Sequence, residues 1–271
     1  MARTIVIGDV HGCAGELERL LVRLAPRRGD EIVFVGDLVN KGPASLEVVR
    51  IAQEIGARAV LGNHDDLILR AARARRSKTG DDEFSPGVRK IAKELEGEAE
   101  AWLRALPLFL RLPEHRAVVV HGGMVPGVRV EDQKREHLLT MRSVRDDGTA
   151  SKRIDEGEAW GALYRGRTHA IYGHDAIRGL QRHERATGLD TGCVYGGRLS
   201  ALVLPEHEVV SVAARREYTA PGRAVAAALT PRKKPVQKRR KGKKKGAKGA
   251  KAARKAARRL EKLRRRERRG R

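Results

Sequence analysis

Five short segments of the chain carry side chains able to hold a metal ion or move a proton. They are Asp9 and His11 in GDVHG (8–12), Asp37 in GDLVNKG (36–42), Asn63 and His64 in GNHD (62–65), His121 in VHGG (120–123) and His174 in GHD (173–175). Each lies beside glycine, which permits tight turns and close approach of neighbouring backbone. The donors are carboxylate and amide oxygen and imidazole nitrogen, with no cysteine. That set suits Mn, Fe, Zn or Ni rather than a thiolate-bound structural zinc. One such residue behind a strand is ordinarily structural or solvated. Five Gly-flanked sites together point to a metal centre.

The elements that must position these residues are legible from hydrophobic patterning. Thr4–Ile7, Glu31–Val35, Arg58–Leu61, Arg116–Val120 and Ala170–Tyr172 read as strands, and each runs directly into one of the five segments. Helical spacing follows the first strand at Leu17, Leu20, Leu21 and Leu24, and the second at Leu46, Val49, Ile51 and Ile55. A strand, loop, helix rhythm predicts βαβ units, a largely parallel sheet and a site at the carboxyl ends of its strands. Residues 66–112 read as mainly helical, interrupted by a loop over Ser77–Pro86. Residues 186–214 read as several short strands ending at Val209–Val212.

The ordered set GDxHG, GDxxxxG, GNHD, HGG and GH resembles the calcineurin-like metallophosphoesterases over residues 4–213. It is most similar to the branch of protein Ser/Thr phosphatases and symmetrical diadenosine tetraphosphatases. The resemblance implies an α/β fold in which two mixed β-sheets pack as a sandwich flanked by helices. It also implies two divalent metal ions, Mn2+ first among them, with Fe, Zn, Ni or Co open. By motif position, Asp9, His11 and Asp37 would hold the first ion. Asp37 would bridge to the second, completed by Asn63, His121 and His174. His64 would act as general acid, while Lys41 and Arg142 (in MRSVR, 141–145) would hold phosphate. Asn40 stands where protein phosphatases carry an Asp that orients the catalytic histidine, and Lys41 where the family carries an Arg. An amide cannot stabilise imidazolium by charge, and an ammonium lacks the bidentate guanidinium fork. Asp65, beside His64, is a further candidate for a negative field at the imidazole. GPASLEVVR (42–50) and LDTGCVYGGRLSAL (189–202) look like segments of symmetrical diadenosine tetraphosphatases. The resulting expectation is hydrolysis of nucleoside polyphosphate anhydrides. The alternatives are a protein Ser/Thr phosphatase or general phosphomonoesterase, and a nucleic-acid-binding protein with a non-catalytic phosphatase-like body.

Charge divides the chain. Of 58 Lys and Arg and 34 Asp and Glu in 271 residues, 24 basic and only 2 acidic residues fall in 222–271. A near-neutral catalytic domain over 1–219 is therefore expected to precede a Pro-punctuated linker and basic tail over 220–271. The tail's composition favours disorder, or partial helix against a polyanion. Such a polycation binds nucleic acid or another polyanion by counterion release. No apolar run is long enough to span a membrane, no membrane anchor accompanies the tail, and the N-terminus shows no signal-like segment. Cys13 and Cys193 are too few for a disulfide framework. A cytoplasmic protein acting on a nucleotide or phosphoprotein is the expectation.

Overall fold

The computed structural model describes residues 2–229. The chain opens with β1 (Thr4–Ile7), α1 (Ala14–Leu24), β2 (Glu31–Phe34), α2 (Ser45–Glu54) and β3 (Arg58–Ala59). α1 buries Leu17, Leu20 and Leu24, and α2 buries Val48, Val49 and Ala52, so each lays one apolar stripe on the sheet. Three helices follow: α3 (Asn63–Ser77), α4 (Pro86–Glu94) and α5 (Glu98–Arg104). Ser85 caps α4 by accepting the Val88 N–H, with Pro86 at the first helical position. Next come β4 (Phe109–Leu112), β5 (Ala117–Val120), α6 (Arg135–Thr140), β6 (Ser143–Val144), β7 (Ala150–Ser151), β8 (Glu158–Ala159) and α7 (Trp160–Leu163). The described chain closes with β9 (His169–Tyr172), β10 (Gln181–Arg182), β11 (Ala186–Gly188), β12 (Arg198–Leu204), β13 (Glu208–Ala213) and α8 (Arg223–Leu229).

Two five-stranded sheets result, in the orders β13-β12-β1-β2-β3 and β10-β11-β9-β5-β4. β1, β2 and β3 are parallel in the first, and β5, β9 and β11 are parallel in the second. The remaining pairs are antiparallel, so both sheets are mixed. Strand alternation explains the packing. Val6 and Val33 point into a cluster between the sheets with Ala117, Val119, Ile171 and Leu202. Ile5, Ile7, Ile32 and Phe34 point the other way, into the helical layer of α1 to α5. Val118, Val120, Ala170 and Tyr172 cover the second sheet's far face with Trp160 and Met124. Strands buried on both faces read as unbroken apolar runs rather than as alternation.

The structure therefore has the expected sandwich, with local corrections. The βαβ rhythm suggested a largely parallel sheet, but the β12–β13 hairpin adds antiparallel strands beside β1. Phe109–Leu112, read as the end of a helical stretch, is an edge strand on β5. A four-residue apolar run has no period of its own, and the available partner decides it. The three-stranded sheet β7-β6-β8 was not expected, because its two-residue strands carry no pattern. Residues 223–229, placed by sequence in the linker, form α8. The basic segment from 230 onward lies outside the described residues. Among the described residues, no helix is long and apolar enough to cross a membrane.

One buried side chain ties β2's loop to α3. Asp65 has no solvent exposure. Its carboxylate accepts the N–H groups of Asp37 (2.9 Å), Leu38 (3.0 Å), Val39 (3.2 Å) and Gly62 (3.0 Å). Both oxygens are thus spent on backbone, and there is no bond to His64. The hydrogen bonds of Asp65 thus go to the Asp37 loop, which it clamps, rather than to the imidazole it was expected to serve. Asp65→Asn would aim an amide donor at N–H donors and orphan buried amides. Each orphan costs about 1–3 kcal/mol, so a loss of roughly 3 kcal/mol or more is expected in urea unfolding of the variant.

Candidate metal centre

Every predicted ligand follows a strand, and the parallel strands of both sheets deliver them to one rim. Asp9 and His11 follow β1, Asp37 follows β2, His121 follows β5 and His174 follows β9. Asn63 and His64 lie after β3 in the first turn of α3, not in the loop that GNHD suggests. Two glycines are required by the closeness of the loops. A Cβ on Gly173 would sit 2.1 Å from Asp9 Oδ1, and one on Gly62 would sit 2.1 Å from the Asp37 nitrogen.

Asp37 is the centre of the arrangement. Its Oδ2 lies 3.5 Å from His11 Nε2, and its Oδ1 lies 3.4 Å from His121 Nε2. Oδ1 also accepts the His64 backbone N–H at 2.8 Å. Asn63 Oδ1 is 2.9 Å from His121 Nε2, and the His174 N–H donates to Asp9 at 3.0 Å. Two groups have ligand atoms within 4.8 Å of one another and share Asp37. One is Asp9, Asp37 and His121, and the other is His11, Asp37 and His64.

The donor set fits divalent cations. His11 Nδ1 is 3.2 Å from the Val39 carbonyl, His121 Nδ1 is 2.9 Å from that of Val35, and His174 Nε2 is 3.1 Å from that of Thr140. Donating one ring N–H to a carbonyl leaves the other nitrogen as a free lone pair, as metal ligation needs. Burial keeps the rings neutral. It pushes His11 down to about 3 and lowers His121 and His174. Burial, with Asp190 and Asp37 nearby, drives the Asp9 carboxyl well above its usual range. Asp37 moves the other way: burial would raise it, but His121, His64, His11 and Lys41 outweigh that and hold it low. Buried carboxylates crowded together call for positive charge.

Asp190 escaped the sequence reading. It is buried, follows β11 in the LDTG run, accepts the Gly192 N–H at 3.0 Å and is pushed up to about 6, chiefly by burial. Its signal was the same as the others, an acid just past a strand. A different cluster of Cys13, Glu16 and Cys193 also has ligand atoms within 4.8 Å. Glu16, however, is already held by the Arg215 N–H at 2.8 Å, the Tyr218 hydroxyl at 3.0 Å and Arg19 at 3.3 Å. The Cys193 thiol is pushed far up, first by its contact with Cys13 and then by burial. These groups form a packed polar knot rather than a second metal centre.

The remaining candidates surround the ligands. Asn40 Oδ1 accepts the Lys41 N–H at 2.8 Å, which turns its Nδ2 toward His64 Nδ1 at 2.8 Å. The proton of His64 is then on Nε2, and burial lowers this ring to about 4. The Lys41 ammonium stands 3.2 Å from His11 Nε2 and 5.3 Å from the centroid of the Tyr195 ring. Arg142 donates to the carbonyls of Lys152 (3.0 Å) and His174 (3.1 Å), while its buried Nε has no hydrogen-bond partner among the described residues and lies 3.9 Å from Asp175 Oδ1. Its guanidinium is therefore partly committed to the loop of His174, a candidate ligand, which sequence could not reveal.

The profile of the calcineurin-like phosphoesterases matches residues 2–185. The chain is 34% identical over 236 residues to the asymmetrical bis(5'-nucleosyl)-tetraphosphatase PrpE of Halalkalibacterium halodurans, covering 78% of this chain and 94% of that protein. It is 33% identical over 268 residues to the symmetrical bis(5'-nucleosyl)-tetraphosphatase of Chromohalobacter salexigens, covering 76% and 96%. A crystal structure provisionally assigned as a diadenosine tetraphosphatase superposes with a TM-score of 0.71 at 38% identity, covering 78% of this chain and 93% of that one. The chain belongs to the calcineurin-like phosphoesterases, as a metal-dependent hydrolase of the bis(5'-nucleosyl)-tetraphosphatase type.

Proposed function

We propose that the protein hydrolyses the phosphoanhydride chain of dinucleoside tetraphosphates. Asp9, His11 and Asp37 are proposed to hold one divalent ion, and Asp37, Asn63, His121 and His174 the other. The observation that carries the reading is Asp37 itself, with one carboxylate oxygen facing His11 and the other facing His121. Two bound cations would lower the pKa of a water and neutralise phosphoryl oxygens. The chain's own residues do the rest. Lys41 offers its ammonium to phosphate beside His11. Arg142 anchors the His174 loop, and its positive field reaches His64, His121 and His174. His64 presents a proton on Nε2 to the leaving oxygen.

The contact between Asn40 and His64 supports an anhydride over an ester. With Asn40 donating to Nδ1, the ring is a neutral hydrogen-bond donor rather than an imidazolium. Expelling a serine alkoxide needs a full proton at the leaving oxygen. Expelling a nucleotide phosphate, whose own second pKa is about 6, needs only a hydrogen bond. Segments 42–50 and 189–202 favour the symmetrical cut between the central phosphates. The basic excess over residues 222–271 supports nucleic acid or another polyanion as that segment's partner.

Anion-exchange analysis of diadenosine tetraphosphate treated with the Mn-loaded protein is expected to show ADP alone. ATP with AMP would assign the asymmetrical cut, and phosphate release from a phosphoserine peptide with intact dinucleotide would overturn the anhydride reading. Asp37→Asn is expected to lower bound metal, read by elemental analysis of the purified protein, and to reduce turnover by at least roughly a hundredfold. Asn40→Asp would accept a hydrogen bond from Nδ1–H and favour imidazolium. It is expected to raise kcat/KM on a phosphoserine peptide by roughly tenfold or more, with a smaller change on the dinucleotide. Equal changes on both substrates would show that the leaving group is not what Asn40 serves.

A further inference from the structure

The strands that end at the metal centre begin at a second charged rim. Arg116 immediately precedes β5, and His169 opens β9, whereas His121 and His174 lie past the other ends of the same strands. Four residues of strand span about 13 Å, so the two rims are separate places. At the amino-terminal rim, between these strand starts and the β12–β13 hairpin, lies a cleft of about 650 Å3. It is lined by Arg116, Arg167, Arg182 and Arg185 and by four histidines, against one carboxylate, Glu184.

Elsewhere in the body many arginines are paired: Arg3 with Asp30, Arg145 with Glu156, Arg178 with Asp175. In the cleft they are not. Among the described residues, the side chains of Arg116, Arg167 and Arg182 make no hydrogen bond or ion pair, and Arg185 reaches Glu184 only at 3.9 Å. Two imidazoles add further polar edges. His169 stacks edge-on against His207 with ring centroids 4.8 Å apart, and its Nε2 is 2.9 Å from Thr187 Oγ1. Leu202 and Val209 give the cleft an apolar side.

Arg116, Arg167 and Arg182 are exposed and line one bounded cleft, where their like charges favour an anion that joins them. Guanidinium forks match the oxygens of phosphate bidentately. The volume lies within the range of small-molecule sites, and several cations call for several phosphates. We propose that this cleft is a second binding site, remote from the metal centre, for a ligand carrying a chain of two or more phosphates. Such a ligand is either a nucleotide or an inorganic oligophosphate.

The test is hydrogen–deuterium exchange of the full-length, metal-loaded protein with two non-hydrolysable probes, α,β-methylene-ADP and methylenediphosphonate, and with orthophosphate as control. Peptides containing Arg116, Arg167–His169 and Arg182–Thr187 should be protected by a diphosphate probe. Protection should fall by roughly tenfold in apparent affinity in the triple variant R116A/R167A/R182A, while hydrolysis of diadenosine tetraphosphate stays near the wild-type rate. Protection by the nucleotide probe alone identifies a nucleotide as the ligand, and equal protection by both probes identifies the phosphate chain. Protection confined to residues 9–12, 36–42, 121–123 and the basic segment would overturn the proposal, as would protection unchanged in the triple variant. Localisation in the wild-type protein decides the matter even where the variant folds poorly.

Discussion

The structure is organised around a carboxylate that the protein alone cannot neutralise. Asp37 is buried, yet imidazoles on either side and Lys41 hold it ionised. Burial lowers those imidazoles, so the standing positive charge among these groups is the Lys41 ammonium. Asp9 and Asp190 add negative groups at the same depth. A buried charge without a partner costs several kcal/mol, and three buried acids gathered in one place fit the cations that the family implies. The rest follows from holding Asp37 still. Asp65 fixes its amide and the next two, and the Asp37 carbonyl in turn accepts the N–H groups of Val10 and His11. The loops after β1, β2 and β3 are thus one hydrogen-bonded unit. The second sheet joins it through His121 and through the His174 amide on Asp9.

Much of this was legible because the site obeys two simple rules. Parallel strands buried on both faces appear as apolar runs such as TIVI and AVVV, and the candidate ligands sit where such runs stop. Reading the five run-ends located the metal-binding candidates without any knowledge of how the sheets pack. The same rule, applied to β11, would have reached Asp190. What stayed hidden depends on side-chain direction. Asp65 is one residue from His64, yet on a helix adjacent side chains diverge, and its carboxylate turned inward to amides. Arg142 could not be placed because β6 and its neighbours are two-residue strands without a pattern. Phe109–Leu112 could be assigned only once β5 was there to pair with it.

Backbone conformation shows where the sequence serves the site rather than the fold. Nine non-glycine residues of the described chain have positive φ, and five of them are His11, Asp37, Asn40, Lys41 and His174. Residues other than glycine adopt that region at a cost of order 1 kcal/mol each. Ala25 and Lys78 do so at helix C-caps, where a left-handed residue ends the hydrogen-bond ladder. The five at the site have no such local reason. They are non-glycine because their side chains are needed, and left-handed because the chain reverses in the loops that follow β1, β2 and β9. The network through Asp65 and Asp37 offsets that strain.

The two rims of the second sheet carry opposite chemistry, although the body as a whole is close to neutral. At the carboxyl ends, carboxylates crowd together and attract cations. At the amino ends, four guanidiniums line one cleft against a single carboxylate, Glu184. Strand polarity alone does not require this, since β5 is apolar along its length and β9 carries one histidine, His169, at its start. The charges come from loops, and loops are free to choose partners. Arg145 and Arg153, in the loops on either side of β7, take Glu156 as a partner. Arg116, Arg167 and Arg182 sit in loops or on the edge strand β10 of the second sheet and take none among the described residues. Mutual repulsion among like charges gives no stability to the fold. A cluster of unpaired arginines facing one cleft is therefore better explained by an anion that visits it than by the folding of the chain around it.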